Sequence, residues 1–349
     1  MRRRRIVLLL VATLVISAAV VVVWRLRSED RSRFADALTL APTTAARLSW
    51  TDWAGVREEL EADLSSTSTG TEVEDFLRDA FDHDLSSTTA LDASAPTIQD
   101  EIGLSPATLE WELFTQGADG ALVLMGLPDE FDVAGLRERL RAIGFAEPDD
   151  ADGVWRGGVD LLEGLGGPVT PELAAVAIDE DAGVVAGSDD PDFLEQRGDL
   201  ARGFTDDGVS DVVEAVGPAL SASVATGDQA CSALAMTDAD PADRTRATEL
   251  VEQAGGVHPL TGFAIAAQPG GDIRVAMAFE KDDHARADAD SRSRLAAGPA
   301  PGQGGTFPER FALGRVVASG RVLTMAMTPV EGTFVLSDLS HGPVLFATC

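Results

Sequence analysis

A chain of 349 residues with 58 acidic against 27 basic side chains carries a formal charge of −31. A field of that sign and size keeps a protein soluble and repels nucleic acid and anionic lipid headgroups, which excludes nucleic-acid binding. Hydrophobic residues at 45%, with apolar periodicity continuing along the length, exclude a disordered chain.

The first element in chain order reads as a membrane span. Arg2 to Arg5 form a compact basic cluster in residues 1–5, a cytoplasmic tail, and residues 6–24 follow without a charge, broken only by Thr13 and Ser17. At about 1.5 Å per residue a helix of that length covers roughly 28 Å, close to the ~30 Å hydrocarbon core of a bilayer. Trp24 sits where an interfacial aromatic belongs, and Glu29 and Asp30 dilute the arginines on the far side. A basic cluster followed by an apolar stretch is what the secretion machinery reads, so the expected topology is single-pass in the cell membrane, N-in and C-out. The run exceeds a usual signal-peptide core of about 7–15 residues, and Ser17-Ala18-Ala19 lies inside it, which favours an uncleaved signal anchor held by the lipid bilayer. No cysteine lies nearby, which excludes a lipid-modified one. The first 33 residues hold eight arginines against two acids, which leaves about −37 on the remaining 316. A single lysine, Lys281, no tyrosine, and an excess of Arg, Ala and Asp suggest the coding bias of a GC-rich bacterial genome.

Residues 25–44 read as a juxtamembrane stalk, followed by two α+β halves over 45–205 and 206–349. In the first half a strand is expected over 45–50. A helix with Trp53, Val56, Leu60 and Leu64 on one stripe then enters at Thr51 or Asp52. A Ser/Thr-rich loop over 65–70 leads to a second helix, opened by the capping-box pattern Thr71-x-x-Glu74 and carrying Val73, Phe76, Leu77 and Phe81. Strands over 109–115 and 121–127 flank a Gly-containing turn, and the helix with Val133, Leu136, Leu140 and Ile143 stops at Gly144. A Gly-rich loop is expected over 153–157. A hairpin of 174–178 and 184–187 follows, then a short helix capped by Asp189 or Asp190. In the second half a helix runs from Asp240-Pro241 to Gly255-Gly256, then a hairpin of 261–268 and 272–280 about Pro269-Gly270-Gly271. A weaker helix over 282–295, a hairpin of 311–318 and 321–328, and a last strand over 344–348 complete the chain. Both halves read hairpin, helix, hairpin. The expected fold class is therefore α+β, with antiparallel sheets in two related halves; chance recurrence of such runs in an α+β protein is the alternative.

Several of these stretches carry a resemblance. Ile102-Gly103-Leu104-Ser105 before a Trp-containing strand, Gly153-Val154-Trp155, residues 174–178, and the run Gly183 to Asp189 before a short helix follow one another in order. The arrangement resembles a family of secreted or membrane-anchored bacterial proteins known only as a domain of unknown function, over roughly residues 36–235. The resemblance implies an envelope location and assigns no catalytic residue.

Few residues suggest chemistry. Asp79, Asp82, His83 and Asp84 form a carboxylate–histidine cluster that could bind a divalent metal or orient an imidazole as a base; a solvated helix end is the plainer reading. Asp150-x-Asp152-Gly153 fails as a calcium loop, because Pro148 and Val159 stand at two ligand positions. Gly187-Ser188-Asp189 lacks the second glycine of a nucleophile elbow, and Gly164-x-Gly166-Gly167 lacks the strand and helix of a phosphate loop, so no cofactor is expected. Trp50 and Trp53 suit core positions; exposed, they would anchor an envelope protein partner. Cys231 and Cys349, an even count in a domain read as outside, are a disulfide candidate, with two unrelated thiols as the alternative. The leading expectation is a membrane-tethered extracytoplasmic acidic domain acting non-enzymatically through protein contacts in the bacterial cell envelope. An envelope hydrolase using acidic residues with His83, and a cation-binding or sensory ectodomain, are the alternatives.

Overall fold

Among residues 32–196 and 204–349, which the computed structural model describes, eleven strands pair into one antiparallel sheet. The strands are β1 (Ala45–Thr51), β2 (Trp111–Gly117), β3 (Gly120–Gly126), β4 (Val154–Arg156), β5 (Ala175–Asp179) and β6 (Val184–Ser188). They continue as β7 (Ser221–Thr226), β8 (Gly262–Ala267), β9 (Ile273–Ala278), β10 (Phe311–Ser319) and β11 (Val322–Pro329). The order across the sheet is β10-β11-β9-β8-β7-β1-β2-β3-β6-β5-β4. The expected α+β class with antiparallel pairing holds, with a single sheet in place of several. The expected membrane span and the basic tail lie outside the described residues.

Both faces of the sheet are covered over its middle strands, which is why a strand such as Gly262–Ala267 is buried at every position, whereas β10 and β11 keep exposed positions. On one face Leu48, Trp50, Leu113, Leu124, Val224 and Ala264 meet Phe34, Phe193 and the valines of the helix Asp207–Val216. On the other, Met125, Ile265, Val275 and Met325 meet the remaining helices, including Trp53–Glu59, Gly70–Asp82, Val133–Ile143 and Asp282–Ala296. Strands buried on two sides lose the polar/apolar alternation that marks a half-exposed strand.

Several expectations are corrected. The capping box is Thr69 with Glu72, two residues earlier than the Thr71–Glu74 pattern, and it opens the helix Gly70–Asp82. Phe81 is 49% exposed and stacks on Phe334 at 5.4 Å instead of joining the inward stripe. Residues 153–157 are not a simple loop, because β4 pairs with β5 there. The terminal strand is a 3-10 turn, Leu345–Ala347. The stretch read as stalk contains a helix, Arg33–Leu38, capped by Ser32; its Phe34 is buried and stacks on Trp50 at 4.8 Å. The helix Val133–Ile143 ends as expected on Gly144, at a φ of 108° that glycine adopts freely.

Candidate functional site

The middle of the sheet is where the two outward series of strands meet, β1 pairing with β7. In that antiparallel register Arg47 stands opposite Ala225, Ser49 opposite Ser223 and Thr51 opposite Ser221. Residues directly opposite share a face, so this side of the central pair carries a cation and four hydroxyls, continued on β2 by Gln116 and Glu112 about Phe114 and bounded on β8 by the apolar Phe263, Ile265 and Ala267. The hydroxyls of Thr51 and Ser86, 0% and 3% exposed, have no hydrogen-bond partner among the described residues. Thr88 Oγ1 bonds Ser221 Oγ at 2.6 Å and donates to the Trp50 carbonyl at 3.2 Å.

A cleft of about 200 Å³ opens at the Arg47 end of this polar strip. Arg47, Ser223 and Ala225 form its floor. One wall is Gln229, Ala233 and Leu234, from a helical turn that widens into a π-helix over Ala230–Leu234. π-Turns are rare and concentrate at functional sites. The other wall is Ser340, His341 and Gly342, just after the helix Val335–Leu339. The walls approach so closely that a Cβ on Gly342 would lie 2.2 Å from the Ala233 carbonyl.

The polar groups of the cleft have defined roles. A guanidinium can only donate, so its contact of 3.1 Å from Arg47 Nη2 makes His341 Nε2 the acceptor and leaves the proton on Nδ1, which faces the Ser337 carbonyl at 3.4 Å. Ser340 Oγ donates to the Leu336 carbonyl at 2.6 Å. Ser223 is 5% exposed, lines the cleft, and has no partner for its hydroxyl among the described residues. Arg47 has no carboxylate partner among them either. The π-helical wall is tied down behind the cleft, where the Val344 amide donates to the Leu234 carbonyl at 2.7 Å and the Cys231–Cys349 disulfide brings the two Cα atoms to 5.5 Å.

The expected disulfide is therefore present; the other sequence-derived candidates fare differently. Asp79 and His83 lie on the surface, with His83 Nδ1 at 2.8 Å from the Asp79 carbonyl and 3.3 Å from its carboxylate. Asp82 is exposed, but Asp84 turns inward at a φ of 59° and is 8% exposed. Its carboxylate accepts from the Leu336 amide at 2.6 Å and the Ser337 amide at 3.0 Å, so it caps a helix 252 residues away. Burial pushes the Asp84 carboxyl up to about 6 despite those amides. The four residues do not converge, and no group of three or more His, Cys, Asp or Glu among the described residues is placed to hold a metal ion.

Trp50 and Trp53, the candidate contact pair, are core residues at 1% and 0% exposure. Trp50 Nε1 donates to the Ala219 carbonyl at 2.9 Å, and Trp53 Nε1 to Glu112 Oε2 at 3.1 Å. Glu112 escaped the sequence reading altogether. It is 1% exposed, also accepts from Thr89 Oγ1 at 2.5 Å and the Ala90 amide at 2.7 Å, and burial still pushes it up to about 7. Arg292 and Asp288, 0% and 1% exposed, are a second buried pair that periodicity concealed within a weak helix.

No family model matches the chain, and no curated protein matches it. Among solved structures, crystal form I of TP0453 aligns over 87% of this chain and 96% of that one, at 8% identity and a TM-score of 0.40. That likeness is too low to carry an argument about fold or function.

Proposed function

We propose that this chain is a single-pass bacterial envelope protein whose acidic domain stands outside the membrane and acts by binding, not by chemical turnover. The observation that carries the reading is the Cys231–Cys349 bond, which joins residues 118 positions apart. Such bonds persist where thiols are not kept reduced, as on the outer side of a bacterial membrane. The uncharged run at 6–24 behind Arg2–Arg5 supports the same location from independent residues. The non-enzymatic part of the reading is supported in the cleft, where Arg47 takes up the imidazole lone pair that His341 would need as a general base beside Ser223. An envelope protein partner fits an acidic domain held at a fixed height above the bilayer. The topology is tested by adding protease to intact, wall-stripped cells. The domain should be digested while a cytoplasmic control survives, and full protection would sink the reading.

A ligand-sensing ectodomain is a second reading, favoured by the cleft and its unpartnered Ser223. The two halves are also read as related copies. Counted outward from the β1–β7 pair, one side runs β1, β2, β3, β6, β5 and the other β7, β8, β9, β11, β10, with a helix after the third strand of each. β4 is an addition to the first side. Deleting residues for β4 should then leave the remainder folded, whereas loss of cooperative unfolding on that deletion would count against the duplication.

A further inference from the structure

The geometry points to the cleft between Arg47, Ser223 and the π-helical turn as a binding site for a small carboxylate with a short apolar tail. The inference concerns the cleft alone and is independent of which side of a membrane the domain occupies.

Three observations lead to it. Arg47 presents a guanidinium to a half-open cleft, and no acidic side chain among the described residues pairs with it, although acids outnumber bases by 58 to 27 in the chain. Only one of its donors is used by a side chain, on His341 Nε2 at 3.1 Å. A guanidinium has five donors in a planar fork that matches a carboxylate, and an unpaired fork in a recess is a standing demand for an anion. Second, the Ser223 hydroxyl, on a residue 5% exposed, faces the same space with no protein partner. A hydroxyl with no protein partner that opens on a cleft is free to donate to or accept from a ligand oxygen or a water. Third, the lining that also holds Gln229, Ser340 and His341 includes an apolar part. Ala225, Ala233 and Leu234 lie across from the polar end and would cover a hydrocarbon tail.

Size narrows the class further. A cavity of roughly 150 Å³ holds a benzene ring, so this cleft of about 200 Å³ has room for a carboxylate with a tail of a few carbons. The carboxylate would sit on the free edge of the Arg47 fork and accept from Ser223 Oγ. His341 keeps the fork oriented from the other side. The central strands make room because β7 offers only Ser223 and Ala225 there, opposite Ser49 and Arg47.

The test uses the full chain in zwitterionic lipid nanodiscs, titrated calorimetrically with hexanoate and, in parallel, with its neutral isostere hexanamide, against empty nanodiscs as blank. Hexanoate should bind saturably at a one-to-one ratio, and hexanamide roughly tenfold or more weakly, as expected for loss of a charge-assisted hydrogen bond. Acetate should bind more weakly than hexanoate because it leaves the apolar wall uncovered. Arg47→Met should weaken hexanoate to the level of hexanamide on the wild-type chain, and Ser223→Ala should cause a smaller loss. Equal affinity for hexanoate and hexanamide on the wild-type chain, or no saturable heat with either, would overturn the proposal without recourse to any variant. Unchanged hexanoate binding by a folded Arg47→Met chain would overturn it as well.

Discussion

Replacing Arg292 with methionine isolates what the buried cluster behind the C-terminal segment contributes. Arg292 Nε donates to Asp288 Oδ2 at 2.8 Å, and its two terminal nitrogens donate to the carbonyls of Phe346, Thr348 and His258 at 2.6, 2.9 and 2.6 Å. The guanidinium also lies 5.4 Å above the ring of Phe279. Burial opposes its charge and Asp288 favours it, with burial the larger effect. Methionine fills most of the volume but strands a carboxylate and three carbonyls in the interior. Breaking one side of a buried pair costs about 3–5 kcal/mol. Asp288 keeps two donors, the His258 amide at 2.9 Å and the His258 ring at 2.6 Å, which places the loss in the lower part of that range. For a chain of this size about 3–4 kcal/mol corresponds to a fall of roughly 4–6 °C in Tm. The measurement is reversible urea unfolding of the purified protein and of a second variant, Arg292→Met with Asp288→Leu. The double variant should be more stable than the single one, since no unpaired charge remains inside. A single variant within about 1 kcal/mol of the parent, or a double variant less stable than the single one, would refute the reasoning.

Two further predictions follow from the interior. Glu112 and Asp84, raised to about 7 and about 6 by burial, bind protons more tightly folded than unfolded, so stability should fall as the pH rises from about 4 through 7. Glu112→Gln should flatten that slope, and identical slopes for the two proteins between pH 5 and 7 would show that Glu112 does not cause it. The disulfide closes a loop across 118 positions, so Cys231→Ser with Cys349→Ser should lower stability by about 4–5 kcal/mol. Thiol titration of the denatured, unreduced parent should find none, and two free thiols would also weaken the case for an outward-facing domain.

Local chemistry was legible in the sequence and long-range pairing was not. The helix Pro241–Ala254 announces itself by Asp240-Pro241 at one end and Gly255 at the other, and the β8–β9 hairpin by Pro269-Gly270-Gly271 between apolar runs. The capping box was ambiguous because Thr69-x-x-Glu72 and Thr71-x-x-Glu74 both fit. The earlier one forms where Asp100, from another helix, accepts from the Gly70 amide at 2.8 Å. β7 went unseen because Ser221-Ala222-Ser223-Val224-Ala225 has neither β-branched density nor strong alternation, its polar face being turned to the cleft. Arg47 and His341 stand 294 residues apart, and no spacing rule joins them. One signal was available, since Arg47, Ser49 and Thr51 alternate with Leu48 and Trp50 in a strand that proves to be central. Polar alternation there marks a lined space and not a solvent face.

The position of β1 has a mechanical consequence. It is the first strand after the helix Arg33–Leu38, yet it lies between β2 and β7 in the middle of the sheet, not at an edge. Tension applied at residue 32 passes through that helix, whose Phe34 is stacked on Trp50, and pulls along β1. Antiparallel ladder bonds run perpendicular to their strands, so such a pull loads the bonds on both flanks of β1 side by side in shear. An edge strand peeled away would lose its bonds one after another. A domain suspended by this end resists force with two ladders at once, and its lifetime under load is set by the rate at which the sheet parts at its centre.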